Sequence, residues 1–372
     1  MKAESQAIVR PRILSAKKTA LEDLVPLATP ISAHIDICSL CNFRCSFCFQ
    51  ADTQGMKDVG LKRGFMQYDL FKKIVNELGE FPNKIKKIKI GNHGEPTMHP
   101  EFTSMIKYAV DSGVANIVEV FTNGSKLSNE INRGMVAGGL QRINISLEGL
   151  SDQRYLEVAG VKQDFSKIIE GVRDLYEQKQ NANSDLIIYV KVADQAHPLK
   201  GEQTSPFKLS DSEKAYFLET FSGICDEIYI EKIVPQWSET QLNKQNEVGA
   251  TGMYDQDIVK WKKVCPFTFM YLHFNCDGTI SPCTLDWPRK VVIGNSKIEN
   301  VKDVWNGKSL RELQLAMLAG KRDCVNFCDT CSAPMVCVEE NLDPYLTETL
   351  SSLKATDSEK KLELNRWVGK PK

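Results

Sequence analysis

The sequence predicts an α/β fold: a partial (β/α)6 TIM-like barrel followed by a small cysteine-rich C-terminal domain. Three observations carry this prediction. Six short apolar segments alternate with segments of helical period between residues 31 and 234, as parallel strands joined by crossover helices do. Six such units cannot close an eight-stranded barrel and leave a curved, laterally open sheet. The cysteines fall into two groups, one at the end of the first strand and one of seven within 73 residues, Cys265 to Cys337. At 372 residues the chain is too long for one ordinary core. It divides into a lead-in over 1–30, the barrel over 31–250, the second domain over 251–345 and a charged tail over 346–372.

Residues 1–30 are basic, then weakly amphipathic, and Pro26 and Pro30 break any helix there. Residues 31–37 alternate as a strand and release the chain into the first cysteines. The polar, glycine-containing stretch 50–64 reads as a mobile loop. Residues 68–78 then place Leu70, Phe71, Ile74, Val75 and Leu78 on one helical face. Residues 84–90 alternate lysine with isoleucine, a strand with one dry face, and run into GNHGEPTMHPE. Helix 102–112, strand 117–121 and the turn Thr122-Asn123-Gly124 follow, then helix 130–138 and strand 142–147. Helix 165–178, strand 186–193, helix 212–221 and strand 227–234 complete the six units. The runs 198–209 and 238–259 are poor in large apolar residues and read as linkers or lids, the second marking a boundary near residue 250. Beyond it, NCDGTISPC reads as a hairpin turned at Asp277-Gly278, and 300–305 and 309–318 as helices.

Cys41, Cys45 and Cys48 stand at C-x3-C-x2-C on a loop leaving a strand's carboxyl end, where sites form in α/β barrels. By spacing alone, Cys38 with Cys41 and Cys45 with Cys48 could form a zinc knuckle. The strand-end position favours three thiolates on one inorganic cluster, with Cys38 a buried small hydrophobe beside it. The pattern CNFRCSFC, with aromatic Phe47 before the last cysteine, closely resembles the signature of the radical S-adenosylmethionine (SAM) enzymes. That resemblance implies a [4Fe-4S] cluster on Cys41, Cys45 and Cys48 whose open iron chelates SAM. It implies cleavage of SAM to a 5′-deoxyadenosyl radical that abstracts hydrogen, and Phe47 beside the cofactor.

Other segments extend the resemblance. His93-Gly94-Glu95-Pro96 resembles the family's GGEP, whose backbone receives the SAM amino group, with His93 in place of the first glycine. FTNG and ISLEG resemble the family's strand ends, which implies Gly94, Glu95, Ser146 and Glu148 as SAM contacts and Thr122 facing SAM or substrate. Ser146 and Thr122 equally suit turn capping. Lys191, Glu231 and Trp237 are candidate substrate contacts from the ends of the fifth and sixth strands; packing or exposure would serve them as well.

In the second group, C-x12-G-x4-C, then VIGNSKIENVKDVWN, then C-x2-C resembles the auxiliary iron–sulfur domain called SPASM, or its shorter form, twitch. A full SPASM domain continues with further cysteines, but Asn341 stands where the next would be. The resemblance therefore implies one auxiliary [4Fe-4S] cluster on Cys265, Cys283, Cys328 and Cys331, at twitch-like intervals of 17, 44 and 2 residues. A four-cysteine zinc site is the plainer alternative. Cys38, Cys225, Cys276, Cys324 and Cys337 are left as core thiols, alternative ligands or hydrogen-atom donors.

A net charge of −1 advertises neither nucleic acid nor an anionic membrane. No apolar run or signal core is present, so a cytoplasmic protein is expected, with its cysteines reduced and available to metal. The expectation is oxidation or epimerisation of a carbohydrate or aminocyclitol-like alcohol, with flavodoxin or ferredoxin as electron donor. The rival is radical modification of a peptide side chain, for which the short lead-in offers no leader-binding wing. A non-catalytic iron–sulfur carrier is the third class, and it would have no use for GEP, TNG or SLEG turns.

Overall fold

The computed structural model describes residues 6–12, 19–194, 208–237, 240, 251–356 and 366–368. In chain order come β1 (Ile8–Val9), β2 (Ser32–Ile35), α1 (Thr53–Asp58), α2 (Tyr68–Leu78), β3 (Ile85–Ile90), α3 (Phe102–Asp111), β4 (Ala115–Thr122) and α4 (Asn129–Ala137). Then follow β5 (Arg142–Leu147), α5 (Asp152–Ala159), α6 (Phe165–Asn181), β6 (Ile187–Asp194), α7 (Asp211–Phe221) and β7 (Glu227–Lys232). The C-terminal part holds β8 (Tyr271–Phe274), β9 (Thr279–Ser281), β10 (Gly294–Asn295), α8 (Val301–Trp305), α9 (Lys308–Leu318), α10 (Ala333–Val336) and α11 (Leu346–Thr356).

Strands β2 to β7 lie side by side in sequence order and all parallel, the partial barrel that six units predict. Their outward faces bury Ile88, Val118, Ile143, Ile188 and Ile228 under the helices. Local chemistry starts the helices: Ser128, Ser151 and Asp164 accept backbone N–H groups at the N-termini of α4, α5 and α6, and Ser210 with Glu213 forms a capping box on α7.

Both edges of this sheet carry strands that periodicity did not reveal. β1 pairs parallel with β7, Ile8 opposite Glu227, beside the barrel's open side. β8 pairs parallel with β2, Ser32 opposite Tyr271, so the hairpin β8–β9, with β10 antiparallel on β9, brings the sheet to ten strands. The lead-in is folded too: Leu21 and Val25 are buried, and the Trp305 indole donates to the Leu27 carbonyl at 3.0 Å.

Two readings change. Residues 50–64 are not a mobile loop: Phe49–Ala51 is a 3-10 turn, α1 follows, and Phe49 and Met56 are buried. The isoleucine–lysine alternation in β3 gives one dry face, but its other face looks into the barrel rather than open water. There Lys87 and Lys89 lie 3.5 and 3.7 Å from the fully buried Glu119, and Arg142 bonds Glu227 at 2.6 Å. The loop around 198–207 and the boundary near residue 250 lie outside the described residues. No helix among the described residues is long and apolar enough to cross a membrane.

Candidate functional site

The first cysteine loop hangs between two supports at the carboxyl end of the barrel. Arg44 and Ser46 donate their backbone N–H to Ala159 and Val158, at 2.8 and 2.9 Å, tying the loop to the end of α5. On the other side Glu95 N–H donates to the Leu40 carbonyl at 2.8 Å. Gly94 approaches so closely that a Cβ there would stand 2.4 Å from the Cys38 oxygen and 2.5 Å from the Leu40 oxygen. The glycine of the GEP turn is thus a steric requirement for bringing β3 against the cysteines.

Glu95 is buried and organises this end of the sheet. Its Oε1 accepts from Thr97 N, Thr97 Oγ1 and Thr122 Oγ1 at 3.1, 2.6 and 2.7 Å, and its Oε2 from Asn123 N at 2.7 Å. Thr122 therefore commits its hydroxyl to Glu95. Burial raises the Glu95 carboxyl above its ordinary range, against these bonds. Asn123 reaches Cys41 Sγ at 4.0 Å and Asn42 at 3.0 Å, and Asn42 donates to Ser125 at 2.8 Å. Only the asparagine after the first cysteine hinted at this chain of amides.

Cys45 is buried and Cys41 and Cys48 are half-buried, all as free thiols. Burial pushes Cys41 up to about 11 and Cys48 to about 12, and holds Cys45 well above the thiol range, with Glu148 adding to all three. Thiols so placed become thiolates only when a metal brings positive charge, which is what a cluster site requires. Ser146 lies in register with Lys191 on the next strand, and Lys191 is ion-paired to Glu231. Glu148, half-buried beside them, is pushed up to about 7 by burial, with Lys191 opposing. Ser146, Glu148, Lys191 and Glu231 thus gather at the ends of β5 to β7.

The second site is closed. Cys265, Cys283, Cys328 and Cys331 line one cavity whose walls include Phe267, Leu285 and Phe327. All four are buried, and burial raises the thiols of Cys265, to about 11, and of Cys283 and Cys328, well above the thiol range. Arg322, stacked 3.8 Å from Trp261, donates to the carbonyls of Lys262 and Cys331 and braces the loop. Four converging thiols in apolar walls fit a tetra-cysteine centre.

An aromatic wall separates the two sites. Phe49, next to Cys48, packs 5.4 Å from Trp287 and 5.0 Å from Trp237. Trp237 is therefore buried in this wall. Of the remaining cysteines, Cys276 donates to Ser39 at 3.1 Å beside the first loop, Cys38 to Leu40 O at 3.2 Å, and Cys337 lies 3.7 Å from Gln236 Oε1. Cys225 is buried in the main core, and Cys324 lies against Asp323.

Residues 35–197 match the family model described as Radical SAM superfamily, and residues 265–332 that of the iron–sulfur cluster-binding domain SPASM. A Pyrococcus furiosus tungsten-containing aldehyde ferredoxin oxidoreductase cofactor-modifying protein is 35% identical over 32% of this chain and 30% of its own length. A probable GTP 3′,8-cyclase of Metallosphaera sedula is 31% identical over 39% of this chain and 42% of its own. The chain thus spans less than half the length of either relative. In fold it resembles BtrN in complex with AdoMet and 2-DOIA, at TM-score 0.51 and 16% identity over 83% of this chain and 96% of that one. It also resembles Streptococcus suis SuiB bound to precursor peptide SuiA, at TM-score 0.58 and 13% identity over 78% and 67%.

Proposed function

We propose that this chain, a radical SAM protein with a C-terminal SPASM domain, removes a hydrogen atom from a small polar substrate and oxidises or epimerises a carbohydrate or aminocyclitol-like alcohol. The observation that carries this reading is the polar group cluster at the ends of β5 to β7, where Glu231 keeps a buried Oε2 without a hydrogen-bond partner. When bound, a [4Fe-4S] cluster supplies the electron that cleaves SAM. Cys41, Cys45 and Cys48 hold it, the Gly94-Glu95 turn presents backbone groups to SAM, and Ser146 and Glu148 contact its ribose or carboxylate. Lys191 and Glu231 together offer a donor and an acceptor, which suits a hydroxyl or amino group on the substrate. Cys265, Cys283, Cys328 and Cys331 hold one auxiliary cluster, and a flavodoxin- or ferredoxin-type donor in the cytoplasm provides reduction.

The test is to incubate reduced, reconstituted protein with SAM and a panel of sugars and aminocyclitols and to measure 5′-deoxyadenosine. Stimulation by members of the panel supports the reading; stimulation by peptides alone supports peptide modification, the reading favoured by the shared fold with peptide-bound SuiB. With a substrate in hand, reaction in deuterated water separates the two outcomes. Oxidation consumes one SAM per product and leaves no solvent deuterium at the reacting carbon. Epimerisation takes hydrogen from a thiol and introduces deuterium; the donor is then one of Cys38, Cys225, Cys276, Cys324 and Cys337, and its alanine variant stalls turnover.

Ser146→Ala and Glu148→Gln should each weaken SAM binding by about 1–3 kcal/mol, the value of a buried polar contact. Equilibrium dialysis with labelled SAM measures this. Unchanged affinity in both variants would move the SAM site away from these strand ends.

A further inference from the structure

The polar group nearest the two cysteine sites that neither uses is a buried set of Asp36, His93 and His273. Asp36 leaves the end of β2, His93 precedes the GEP turn, and His273 lies on β8. All three are at most 6% exposed. Asp36 Oδ2 stands 3.0 Å from His93 Nδ1 and 2.9 Å from His273 Nε2. Yet at these short separations neither Asp36 Oδ2 nor His273 Nε2 has an aligned hydrogen-bond partner. Close approach without alignment in a dry core is costly unless something lies between the three atoms.

The tautomer of His93 says what that must be. Its Nε2 contacts the Thr284 carbonyl, which can only accept, so Nε2 carries the hydrogen. A neutral ring tied in this way presents its Nδ1 lone pair to the Asp36 carboxylate, an arrangement that a cation between them satisfies. Both ring nitrogens of His273 are buried without a hydrogen-bond partner, which leaves Nε2 free to offer its lone pair. Separations of 2.9 and 3.0 Å fit a metal centre. Ligands about 2.1 Å from one ion and at right angles are about 3.0 Å apart.

We infer that Asp36 Oδ2, His93 Nδ1 and His273 Nε2 bind a divalent first-row transition ion, a two-histidine, one-carboxylate site distinct from both cysteine centres. Outer contacts of the kind that orient metal ligands are in place: Thr284 O fixes His93 Nε2, and His93 N donates to Asp36 Oδ1 at 3.3 Å. The ion would join three segments that belong to different sites. His93 precedes Gly94 of the GEP turn, Thr284 follows Cys283, and β8 with β2 is the seam between barrel and C-terminal part. Its role is to fix that seam, so it operates whichever substrate is turned over.

The test is anomalous diffraction from crystals of the anaerobically purified, cluster-loaded full chain, recorded above and below the manganese, iron and zinc edges. The expected result is a peak among Asp36, His93 and His273, separate from the cysteine-bound iron. Metal analysis should find one equivalent of that element beyond the cluster content, lost in Asp36→Asn and His273→Asn. No peak in the wild-type map, with ring nitrogens aligned on Asp36, overturns the proposal in favour of a proton-bridged triad. A peak that appears only after soaking in millimolar zinc also overturns it, as an adventitious ion only. Should the variants lose their cluster iron as well, the wild-type map alone decides.

Discussion

Replacing Cys41, Cys45 and Cys48 together by alanine should abolish 5′-deoxyadenosine formation while leaving about half the iron, since one of two four-iron centres is lost. The expectation follows from where the thiols sit. They share one short loop pinned at both ends, and burial holds all three protonated until a metal supplies charge. Removing them removes every proposed ligand of the first centre and none of the second, whose four proposed ligands line their own cavity. Cys38→Ala is the companion measurement. Cys38 donates to the Leu40 carbonyl, and a zinc knuckle would need it as a ligand, whereas a three-thiolate cluster would not. Iron, sulfide and zinc contents of the two proteins, with SAM cleavage by chromatography, check the prediction. SAM cleavage surviving in the triple variant would sink the assignment of this loop.

Much of the fold was legible because the strands are short and apolar and the helices between them are amphipathic. The bounds of α2 and β5 coincide with the segments read from period alone. The hairpin turn at Asp277-Gly278 was read, but the pairing of β1 with β7 and of β8 with β2 was not legible, for a physical reason. β1 is two residues long, and β8 reads YLHF, with His273 interrupting its apolar pattern. Their pairing is decided by tertiary contact with β7 and β2, not by local propensity. α5 escaped notice because only Tyr155, Val158 and Ala159 of its eight residues are buried, too few to show a period. At the site, spacing picked out four cysteines that do line one cavity, since thiols are rare and their intervals informative. That Trp237 packs on Phe49 was not legible, because its sequence distance from β7 says nothing of direction. The Asp36, His93 and His273 set was invisible, its members being separated by 56 and 179 intervening positions.

Gly94→Ala should cost the protein its SAM affinity and a large part of its first-site iron, though it adds a single methyl. The added carbon would lie 2.4 and 2.5 Å from the carbonyl oxygens of Cys38 and Leu40 and 2.9 Å from the Ser39 carbonyl carbon. All three are backbone atoms, so no side chain can rotate away, and the segment itself must move. It cannot move freely. Leu40 O accepts from Glu95 N, Ser39 N donates to Gly64 O, and Cys41 follows directly. Shifting the peptides either breaks those bonds or carries Cys41 out of line with Cys45 and Cys48. Overpacking of this kind typically costs about 1–3 kcal/mol, and the lost hydrogen bonds add to it. Gly64→Ala is the control, because it lies on the same loop pairing but meets nothing within 4 Å. A substitution in open space should stay within about 0.5 kcal/mol of wild type. Denaturant unfolding, iron content and SAM dialysis on both variants check the contrast. Wild-type SAM binding by Gly94→Ala would show that the close approach of the GEP turn to the cysteine loop is not what builds the site.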